Sequence, residues 1–572
     1  MSVAISFEDL TFTYREKERP ALCNIQGQMG DGSFVVVMGH GGAGKSTLCC
    51  TLNALIPKFF RGEYRGRVLV KGKEVARHGV AEMSRIVGLV LQDFEAQLFS
   101  TNVELEMAFG PENHCLPRPE IERRIQRYLA FVALEKLRQR EPATLSGGQK
   151  QRLAIGSVLA LEPEILVMDE PTTDLDPRGR EEVLSVAKSL REDGRMLIVV
   201  DHEPETAVSA DRVWLMHEGR VVAQGPPAEI LVNLPKIESC GIKTLPMVEF
   251  FNSMGWPGKP LTFEAAITLI EKHNLTQRRK LELPAVPSDS GKDFPFLKAE
   301  RIRYIYPTYH IEALRGIDLS ILEGEFIALL GQNGSGKTTL AKHFNGLLKP
   351  VSGRMLVQGR PTTDYNHREL ARLVGYVFQN PDHQIFAKTV REEVGFGLKI
   401  LGENPKTIEK RVAEALETVG LQGYEDKVPF TLTKGERQRV AVASVLAAQP
   451  QVIILDEPTT GLDYRHQRNI MDMLKRLNRY GHTVIIITHS MWVAAEYSDR
   501  TIVLKDGFIL SDGPTRAVFA DESNLAEASL CPPSIVRLSN WLGTQALTVG
   551  QMVEELRAMN DLKSKCQSSN VK

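Results

Sequence analysis

The stretch that decides the fold is residues 34–46, which read FVVVMGHGGAGKS. Phe34–Met38 is a short apolar run, and such a run before a glycine-rich loop predicts a buried strand that leads into a helix. Gly39–Ser46 fits the pattern GxxxxGK[ST], in which backbone N–H groups close around phosphates and the lysine reaches the phosphate oxygens. The stretch therefore predicts a phosphate-binding turn after a parallel strand of an α/β domain.

A second copy of this stretch lies at residues 326–338, which read FIALLGQNGSGKT. Lys45 and Lys337 are 292 residues apart (337 − 45), but later motifs recur after 287 residues. The pairs at that second spacing are Gln92 with Gln379, Glu170 with Glu457, and His202 with His489. The chain is therefore an internal repeat, and its first half carries an insertion of five residues (292 − 287) around Ile56–Tyr64.

Length and composition limit the classes of protein to consider. A chain of 572 residues is too long for one core, so several domains are expected. The formal net charge of −1 gives no indication of nucleic-acid binding. No run approaches the ~18 apolar residues of a membrane-spanning helix. We expect main domains at 1–235 and 296–522, helical appendices at 236–276 and 523–572, and a polar, proline-bearing linker at 277–295.

The two glycine-rich loops are P-loops, and their residues are the candidate nucleotide ligands. The lysines are expected to reach the β- and γ-phosphates, and Ser46 and Thr338 to offer a hydroxyl oxygen to Mg²⁺. The candidates are Gly39, Gly41, Gly42, Gly44, Lys45, Ser46 and Thr47 in the first half and Gly331, Asn333, Gly334, Gly336, Lys337, Thr338 and Thr339 in the second.

An acidic pair ends an apolar strand in each half. Asp169-Glu170 follows the run 165–168, and Asp456-Glu457 follows the run 452–455. The Asp suits the coordination shell of Mg²⁺, and the Glu suits the orientation or deprotonation of an attacking water. Glu170 follows Lys45 by 125 residues (170 − 45) and Glu457 follows Lys337 by 120 (457 − 337), which are equal apart from the insertion.

Three further residue types recur at matched positions. His202 and His489 each come 32 residues after the Glu of the acidic pair (202 − 170; 489 − 457), and we expect them to contact the γ-phosphate. Gln92 and Gln379 each end an apolar run, GLVLQ or GYVFQ, and are candidates for sensing Mg²⁺ or the attacking water. Tyr14 and Tyr306 are candidates for stacking on adenine. The predicted catalytic residues are Glu170, Glu457, His202, His489, Gln92 and Gln379, and the predicted Mg²⁺ residues are Ser46, Gln92, Asp169, Thr338, Gln379 and Asp456.

A second anion-binding device stands at residues 145–152, which read LSGGQKQR. Ser146 can cap a helix whose first residues, Gly147 and Gly148, leave their N–H groups bare, and Gln149 follows. The corresponding residues of the second half, 432–436, read LTKGE. Thr433 and Gly435 keep the pattern there, but a lysine and a glutamate replace a glycine and a glutamine. We therefore expect the two copies to bind a phosphate unequally.

These motifs, in this order, resemble those of ABC ATPases, twice in one chain. The resemblance implies an α/β fold of tandem P-loop NTPase domains, each with a helical subdomain, and hydrolysis of ATP with Mg²⁺ coupled to transport across a membrane. It also implies that each ATP lies between the P-loop of one half and the LSGGQ-type signature of the other. In that pairing the site with Lys337 and Glu457 uses the intact signature, so we expect it to carry most of the turnover.

A narrower resemblance concerns residues 53–60, 92–113 and 379–402, which are similar to segments of energy-coupling factor (ECF) transporter ATPases. It implies an importer of a vitamin or a metal ion, with this chain on the cytoplasmic face of the cell membrane as a peripheral protein. The implied partners are an integral membrane coupling subunit and a substrate-binding membrane subunit, with one fused chain per transporter. Leu98-Phe99 and Ile385-Phe386 would help to form the groove for the coupling subunit.

Two alternatives stay open from the sequence. One is a tandem ATPase of a sugar-type importer, and the other is a soluble tandem ABC protein that acts on ribosomes. The second alternative usually carries a long charged helical linker or an N-terminal cysteine cluster, and this sequence has neither. A DNA-repair ATPase would show long insertions, zinc cysteines or basic stripes, which are also absent. The sequence does not identify the transported solute.

Overall fold

The computed structural model describes residues 2–15, 17–172, 175, 177–276, 294–307 and 310–569. The predicted linker lies outside the described residues as far as residue 293. The chain forms two compact units, Met1–Glu249 with Asp463–Arg465, and Phe250–Leu462 with His466–Lys572. None of the helices in the described ranges combines the length and apolar composition that a membrane crossing requires.

The strands of the first unit form two sheets. The smaller is antiparallel in the order β2-β1-β4-β5. The larger has the order β10-β9-β3-β8-β7-β6 and is parallel except for β10, which pairs antiparallel with β9. The bounds are β1 Val3–Tyr14, β2 Leu22–Gly30, β3 Phe34–Met38, β4 Gly62–Val70, β5 Lys73–Glu74, β6 Val87–Val90, β7 Ile165–Asp169, β8 Met196–Val200, β9 Arg212–His217 and β10 Arg220–Gly225.

The parallel sheet of the first unit positions the site. Strands β3, β7 and β8 are buried along their whole length, as their unbroken apolar runs predict for strands covered on both faces. Because parallel strands end at one edge, the segments after β3, β6, β7 and β8 meet there. Those segments carry Lys45, Gln92, Glu170 and His202.

Helices cover this sheet and extend beyond it. Their bounds are α1 Lys45–Leu52, α2 Leu55–Lys58, α3 Val80–Met83, α4 Val103–Asn113, α5 Arg118–Phe131, α6 Gly147–Leu159, α7 Pro177–Glu192, α8 Pro204–Val208, α9 Pro227–Ile230, α10 Leu234–Ser239, α11 Pro246–Met254 and α12 Phe263–His273. The segment α4–α6 is the helical subdomain that the resemblance implies.

The second unit repeats this architecture. Its antiparallel sheet has the order β12-β11-β14-β15. Its larger sheet has the order β16-β17-β18-β13-β19-β20 and is parallel except for β20, which pairs antiparallel with β19. The bounds are β11 Leu297–Tyr306, β12 Ile311–Ile321, β13 Phe326–Leu330, β14 Ser352–Val357, β15 Arg360–Pro361, β16 Val374–Val377, β17 Val452–Asp456, β18 Thr483–Ile487, β19 Arg500–Lys505 and β20 Phe508–Pro514. The predicted α/β fold class is thereby confirmed.

The remaining helices include the C-terminal segment. Their bounds are α13 Lys337–Phe344, α14 His367–Leu373, α15 Val390–Ile400, α16 Pro405–Thr418, α17 Lys434–Leu446, α18 Tyr464–Arg479, α19 Met491–Tyr497, α20 Thr515–Ala520, α21 Glu522–Glu527, α22 Ser534–Leu542 and α23 Val549–Ser569.

The segment predicted as the first appendix, 236–276, packs in an unexpected place. From Phe250 onward it belongs to the second unit, where α12 lies against α22. The guanidinium of Arg537 lies 4.1 Å from the ring centroid of Phe263 and 3.6 Å from the carboxylate of Glu264. The division into five domains stays a prediction, but this segment is not confined to the first unit.

Candidate nucleotide site

Both P-loops are closed by their own lysine. Nζ of Lys45 donates to the carbonyls of Gly39 at 2.9 Å and His40 at 3.0 Å. Nζ of Lys337 donates to the carbonyls of Gly331 and Gln332, both at 2.8 Å. Each ammonium is thus held inside the loop where the resemblance places the phosphates.

The glycine before each lysine is required by the backbone. Gly44 has φ +96° and Gly336 has φ +103°, a left-handed conformation that glycine adopts without strain. A Cβ at Gly44 would lie 2.5 Å from the carbonyl oxygen of Ala21, and a Cβ at Gly336 would lie 2.6 Å from that of Ala313. No side chain fits at either position.

The glutamate of each acidic pair has an unusual backbone. Glu170 has φ +50° and Glu457 has φ +47°, although neither is glycine. The N–H of Glu170 donates to the carbonyl of Val200 at 3.0 Å, and that of Glu457 donates to the carbonyl of Ile487 at 2.9 Å. These hydrogen bonds fix the turns after β7 and β17. Such strained positions are concentrated at functional sites, and here the same one occurs in both halves.

In the first half, three predicted residues converge on Glu170. Nε2 of Gln92 donates to its Oε2 at 2.8 Å, Nε2 of His202 lies 3.4 Å from the same oxygen, and Nζ of Lys45 lies 3.8 Å from Oε1. The carboxylate is only 8% exposed. The tertiary structure therefore gathers the histidine, the glutamine and the P-loop lysine around the carboxylate of the predicted base, Glu170.

The second half arranges the same residue types differently. Nδ1 of His489 lies 3.0 Å from Oε1 of Glu457. Oε2 of Glu457 is buried and has no hydrogen-bond partner among the described residues. Gln379 does not bond to Glu457 in the described part of the chain, but it lines the same cavity. The role of Glu457 as the base stays a prediction.

That cavity has a volume of about 320 Å³, within the range of small-ligand sites. Three apolar residues, Ile311, Ala313 and Ile487, form part of its lining. The other lining residues are all predicted site residues, namely Tyr306, Asn333, Gly334, Gly336, Lys337, Thr338, Thr339, Gln379, Asp456 and Glu457. The fold thus brings most of the second set together, while their individual roles stay predictions.

The donor set at the acidic pair fits Mg²⁺, which prefers oxygen ligands. Oδ2 of Asp456 accepts hydrogen bonds from Oγ1 of Thr338 and from the hydroxyl of Tyr376, both at 2.8 Å. Burial raises the pKa of Asp456 despite these two hydrogen bonds. In the first half, burial raises the pKa of Asp169 to about 6 although Ser46 donates a hydrogen bond to it, and its Oδ1 is buried without a partner among the described residues.

The two tyrosines predicted to stack on adenine lie beside the P-loop helices. The hydroxyl of Tyr14 is 3.2 Å from Oγ1 of Thr47, and that of Tyr306 is 3.0 Å from Oγ1 of Thr339. Tyr306 also lines the cavity. Their stacking on adenine stays a prediction.

Comparison with known proteins identifies the family. The family model described as "ABC transporter" matches residues 22–173 and 314–460. The chain belongs to the ABC transporter family. A relative from Caldanaerobacter subterraneus, provisionally named an ABC transporter ATP-binding protein, is 50% identical over 96% of this chain and 98% of its own length. A relative from Methanosarcina acetivorans with the same provisional name is 40% identical over 99% of this chain and 94% of its own.

A solved structure, titled as cbiO1 from Clostridium perfringens and as part of the ABC transporter complex cbiONQ, was also matched. It is 39% identical, covers 43% of this chain and 98% of its own, and has a TM-score of 0.38. The full-length relatives and the two family matches are what establish two fused ABC ATPase domains in one chain. The protein is therefore an ATPase, and ABC ATPases in general bind ATP with Mg²⁺.

The first ABC signature has the expected geometry. Helix α6 begins directly after Ser146, whose hydroxyl accepts from the N–H of Gln149 at 3.3 Å, while Oε1 of Gln149 accepts from the N–H of Ser146 at 3.0 Å. None of the described residues stands within 4 Å of the position that a Cβ of Gly147 would take. The N-terminus of α6 is therefore open to an anion.

The second signature keeps the cap but carries a charge in it. Oε2 of Glu436 accepts from the N–H and from the hydroxyl of Thr433, both at 2.8 Å, and Oε1 accepts from the hydroxyl of Tyr424 at 2.9 Å. Partial burial opposes the charged form, but these hydrogen bonds outweigh it and lower the pKa of Glu436. A carboxylate thus already occupies the helix N-terminus that would attract a phosphate.

Lys434 of the second signature extends over Gly461, five residues after the strand β17 ends. A Cβ at Gly461 would collide with Nζ of Lys434 and lie 3.1 Å from its Cε. Gly461 has φ +67°, which also favours glycine. The ammonium of Lys434 therefore lies against a neighbouring loop of its own half.

A repeated aromatic pair stands on the surface of the helical subdomain in each half. Phe99 is 61% exposed, and its ring packs edge-on against that of Phe109, with 4.5 Å between the ring centroids. Phe386 is 60% exposed and packs in the same way against Phe396, with 4.6 Å between the centroids. The prediction that Ile385 helps to form a surface groove is wrong, because its side chain is 3% exposed and packs inward. Phe109 and Phe396 were missed, although each lies ten residues after the predicted phenylalanine.

Proposed function

We propose that this chain is the ATP-hydrolysing subunit of an ECF-type importer for a vitamin or a metal ion. It acts as a peripheral protein on the cytoplasmic face of the membrane, bound to an integral coupling subunit that also carries a substrate-binding subunit. The proposal is supported by the ECF-like sequence around Gln92 and Gln379, which continues into the two exposed aromatic pairs.

The observation that carries the proposal is how firmly each aromatic pair is held. Oε2 of Glu106 accepts from the N–H groups of Phe99 at 3.1 Å and Ser100 at 2.8 Å. Oε2 of Glu393 accepts from Phe386 at 2.9 Å and Ala387 at 2.8 Å. Both glutamates are 3% exposed. A buried carboxylate is costly unless it is hydrogen-bonded, so its use in both halves to fix an exposed phenylalanine supports a docking role.

The catalytic part of the proposal follows from the site. The P-loop N–H groups and Lys45 or Lys337 would hold the phosphates, and Ser46 with Asp169, or Thr338 with Asp456, would hold Mg²⁺. The chemistry supplied by Mg²⁺ would be partial neutralisation of the negative charge on the phosphates. Glu170 or Glu457 orients the attacking water and takes its proton, while His202 or His489 fixes that carboxylate. Closing and opening around ATP would then move the helical subdomain that carries the aromatic pair.

The test is recovery of the chain with a membrane partner. The protein is co-expressed with the membrane proteins encoded beside its gene, and its share in the membrane fraction is measured. Phe99→Glu and Phe386→Glu should each lower that share, and together they should abolish it, because a charge at a buried contact costs several kcal/mol. ATP-analogue binding should not change.

Tyr480→Glu is the matched control, since Tyr480 is 81% exposed and lies outside the helical subdomain. It should leave membrane recovery intact. Full recovery of the double variant would disprove the docking surface, and co-sedimentation with ribosomes in place of membranes would favour the ribosomal alternative.

A further inference from the structure

The carboxylate of Asp456 is held by two hydroxyls on a single oxygen. Thr338 and Tyr376 both donate to Oδ2 at 2.8 Å. Oδ1 receives no hydrogen bond from the residues that the structure describes, and Asp456 lines the 320 Å³ cavity. Oδ2 is therefore held by two hydrogen bonds, while Oδ1 is left for a ligand.

The first half has no second hydroxyl at this position. Leu89 stands where Tyr376 stands in the second half (376 − 287 = 89), so Ser46 is the one hydroxyl donor to Asp169 among the described residues. Oδ1 of Asp169 is buried and without a partner in the described part of the chain. Among the described residues, the aspartate of the second half thus has two hydroxyl donors, whereas that of the first half has one.

Tyr376 is rigidly placed for this contact. It is 8% exposed and lies on β16, which pairs in parallel with β17 so that Tyr376 stands opposite Ile454. A phenol has few rotamers, and a buried one cannot move away without leaving a cavity. A carboxylate that accepts two hydrogen bonds on one oxygen cannot rotate without losing both, so it is oriented before a cation arrives.

We propose that Tyr376 is a positioning residue for the divalent cation of the second nucleotide site, and that this site therefore holds the cation more tightly than the first. The inference rests on the proposed MgATP role of the two nucleotide sites, and it does not depend on the membrane partner. It assigns a function to a residue of the GYVFQ run that has no counterpart of the same type in the first half, where Leu89 stands at this position.

The test measures cation binding directly. In the full chain with Lys45→Ala, which disables the first P-loop, Mn²⁺ is titrated in the presence of a non-hydrolysable ATP analogue, and free Mn²⁺ is followed by electron paramagnetic resonance. Removing a group that orients a metal ligand typically weakens metal binding by roughly 10–100-fold. Tyr376→Phe should therefore weaken Mn²⁺ binding by about tenfold, while affinity for the analogue in EDTA stays within about twofold.

Tyr365→Phe is the matched control, because the hydroxyl of Tyr365 donates to the carbonyl of Val357 and not to the acidic pair. It should leave Mn²⁺ binding unchanged. The mirror background, Lys337→Ala, should show weaker Mn²⁺ binding than Lys45→Ala.

Three results would overturn parts of the inference. Equal Mn²⁺ affinities of the Tyr376→Phe variant and its parent would remove the role of Tyr376. An equal loss of analogue affinity in EDTA would show a structural role only. If the Lys45→Ala parent bound the analogue in EDTA but took up no Mn²⁺ with it, the MgATP assignment itself would be wrong.

Discussion

The first and second halves place a glutamate at the same strand end, but they surround it differently. Glu170 is contacted by Gln92 at 2.8 Å and by Nε2 of His202 at 3.4 Å. Glu457 meets Nδ1 of His489 at 3.0 Å and keeps one buried oxygen without a partner among the described residues. A repeated backbone therefore does not impose repeated chemistry, because the side chains around a shared turn are free to diverge.

The two halves also differ in the hydrogen bonds to the aspartate of the acidic pair and in the signature. In the second half, Tyr376 donates a hydrogen bond to the aspartate that is predicted to bind Mg²⁺. In the first half, no described residue stands within 4 Å of the Cβ position of Gly147 in the signature. In the pairing implied by the family resemblance, the better supported aspartate works with the better signature. Both features favour the site built on Lys337 and Glu457. We therefore expect the two nucleotide sites to hydrolyse ATP at unequal rates.

The largest expected effect comes from removing the proposed base. Loss of a general base typically costs ~10²–10⁴-fold in rate. Glu457→Gln should approach that loss, and Glu170→Gln should cost clearly less, as measured by steady-state phosphate release. Equal losses, or a greater loss from Glu170→Gln, would contradict the asymmetry.

An effect of intermediate size is expected on stability. The folded pKa of Asp169 is about 6, against 3.8 for an ordinary aspartate. The folded chain then binds more protons than the unfolded chain between these pH values, so stability falls as the pH rises through this window. In the metal-free protein, Asp169→Asn should stabilise by up to about 3 kcal/mol at pH 7 and by little below pH ~4.

Asp456→Asn sharpens that result. It should stabilise less than Asp169→Asn, because two hydroxyl hydrogen bonds already offset the burial of Asp456. Urea denaturation of both variants at pH 7 and pH 4 in EDTA measures the difference. A gain from Asp456→Asn as large as that from Asp169→Asn would show that Tyr376 does not compensate the charge.

The smallest effect is expected from repairing the second signature. Lys434→Gly with Glu436→Gln opens the helix N-terminus and removes the carboxylate that occupies it. In a Glu457→Gln background this should raise the residual ATPase rate on the order of tenfold, or about 1.4 kcal/mol. Unchanged phosphate release would mean that the altered signature does not limit the first site.

The local pattern of the sequence was sufficient for the strands and for the P-loops. The predicted strand Phe34–Met38 and its copy in the second half, Phe326–Leu330, have these bounds in the structure. Buried parallel strands leave long apolar runs in a sequence, and a loop that encloses phosphates requires glycines at set positions. Because the spacing between the P-loop and the acidic pair is the same in both halves apart from the insertion, the internal repeat assigned each acidic pair to a P-loop.

Other features depended on residues far apart in the chain. Tyr376 and Asp456 are 80 residues apart, and Lys434 and Gly461 are 27 apart, so their contacts have no local pattern. The burial of Ile385 next to the exposed Phe386 likewise follows from which face packs inward.

The sequence by itself determined the family, the repeat and the set of residues at the site, because these are written in spacing and residue type. Only the tertiary structure decided which atoms meet, because the orientation of a side chain depends on every element packed around it. For that reason the altered signature was visible in the sequence, whereas the second hydroxyl on Asp456 was visible only in the fold.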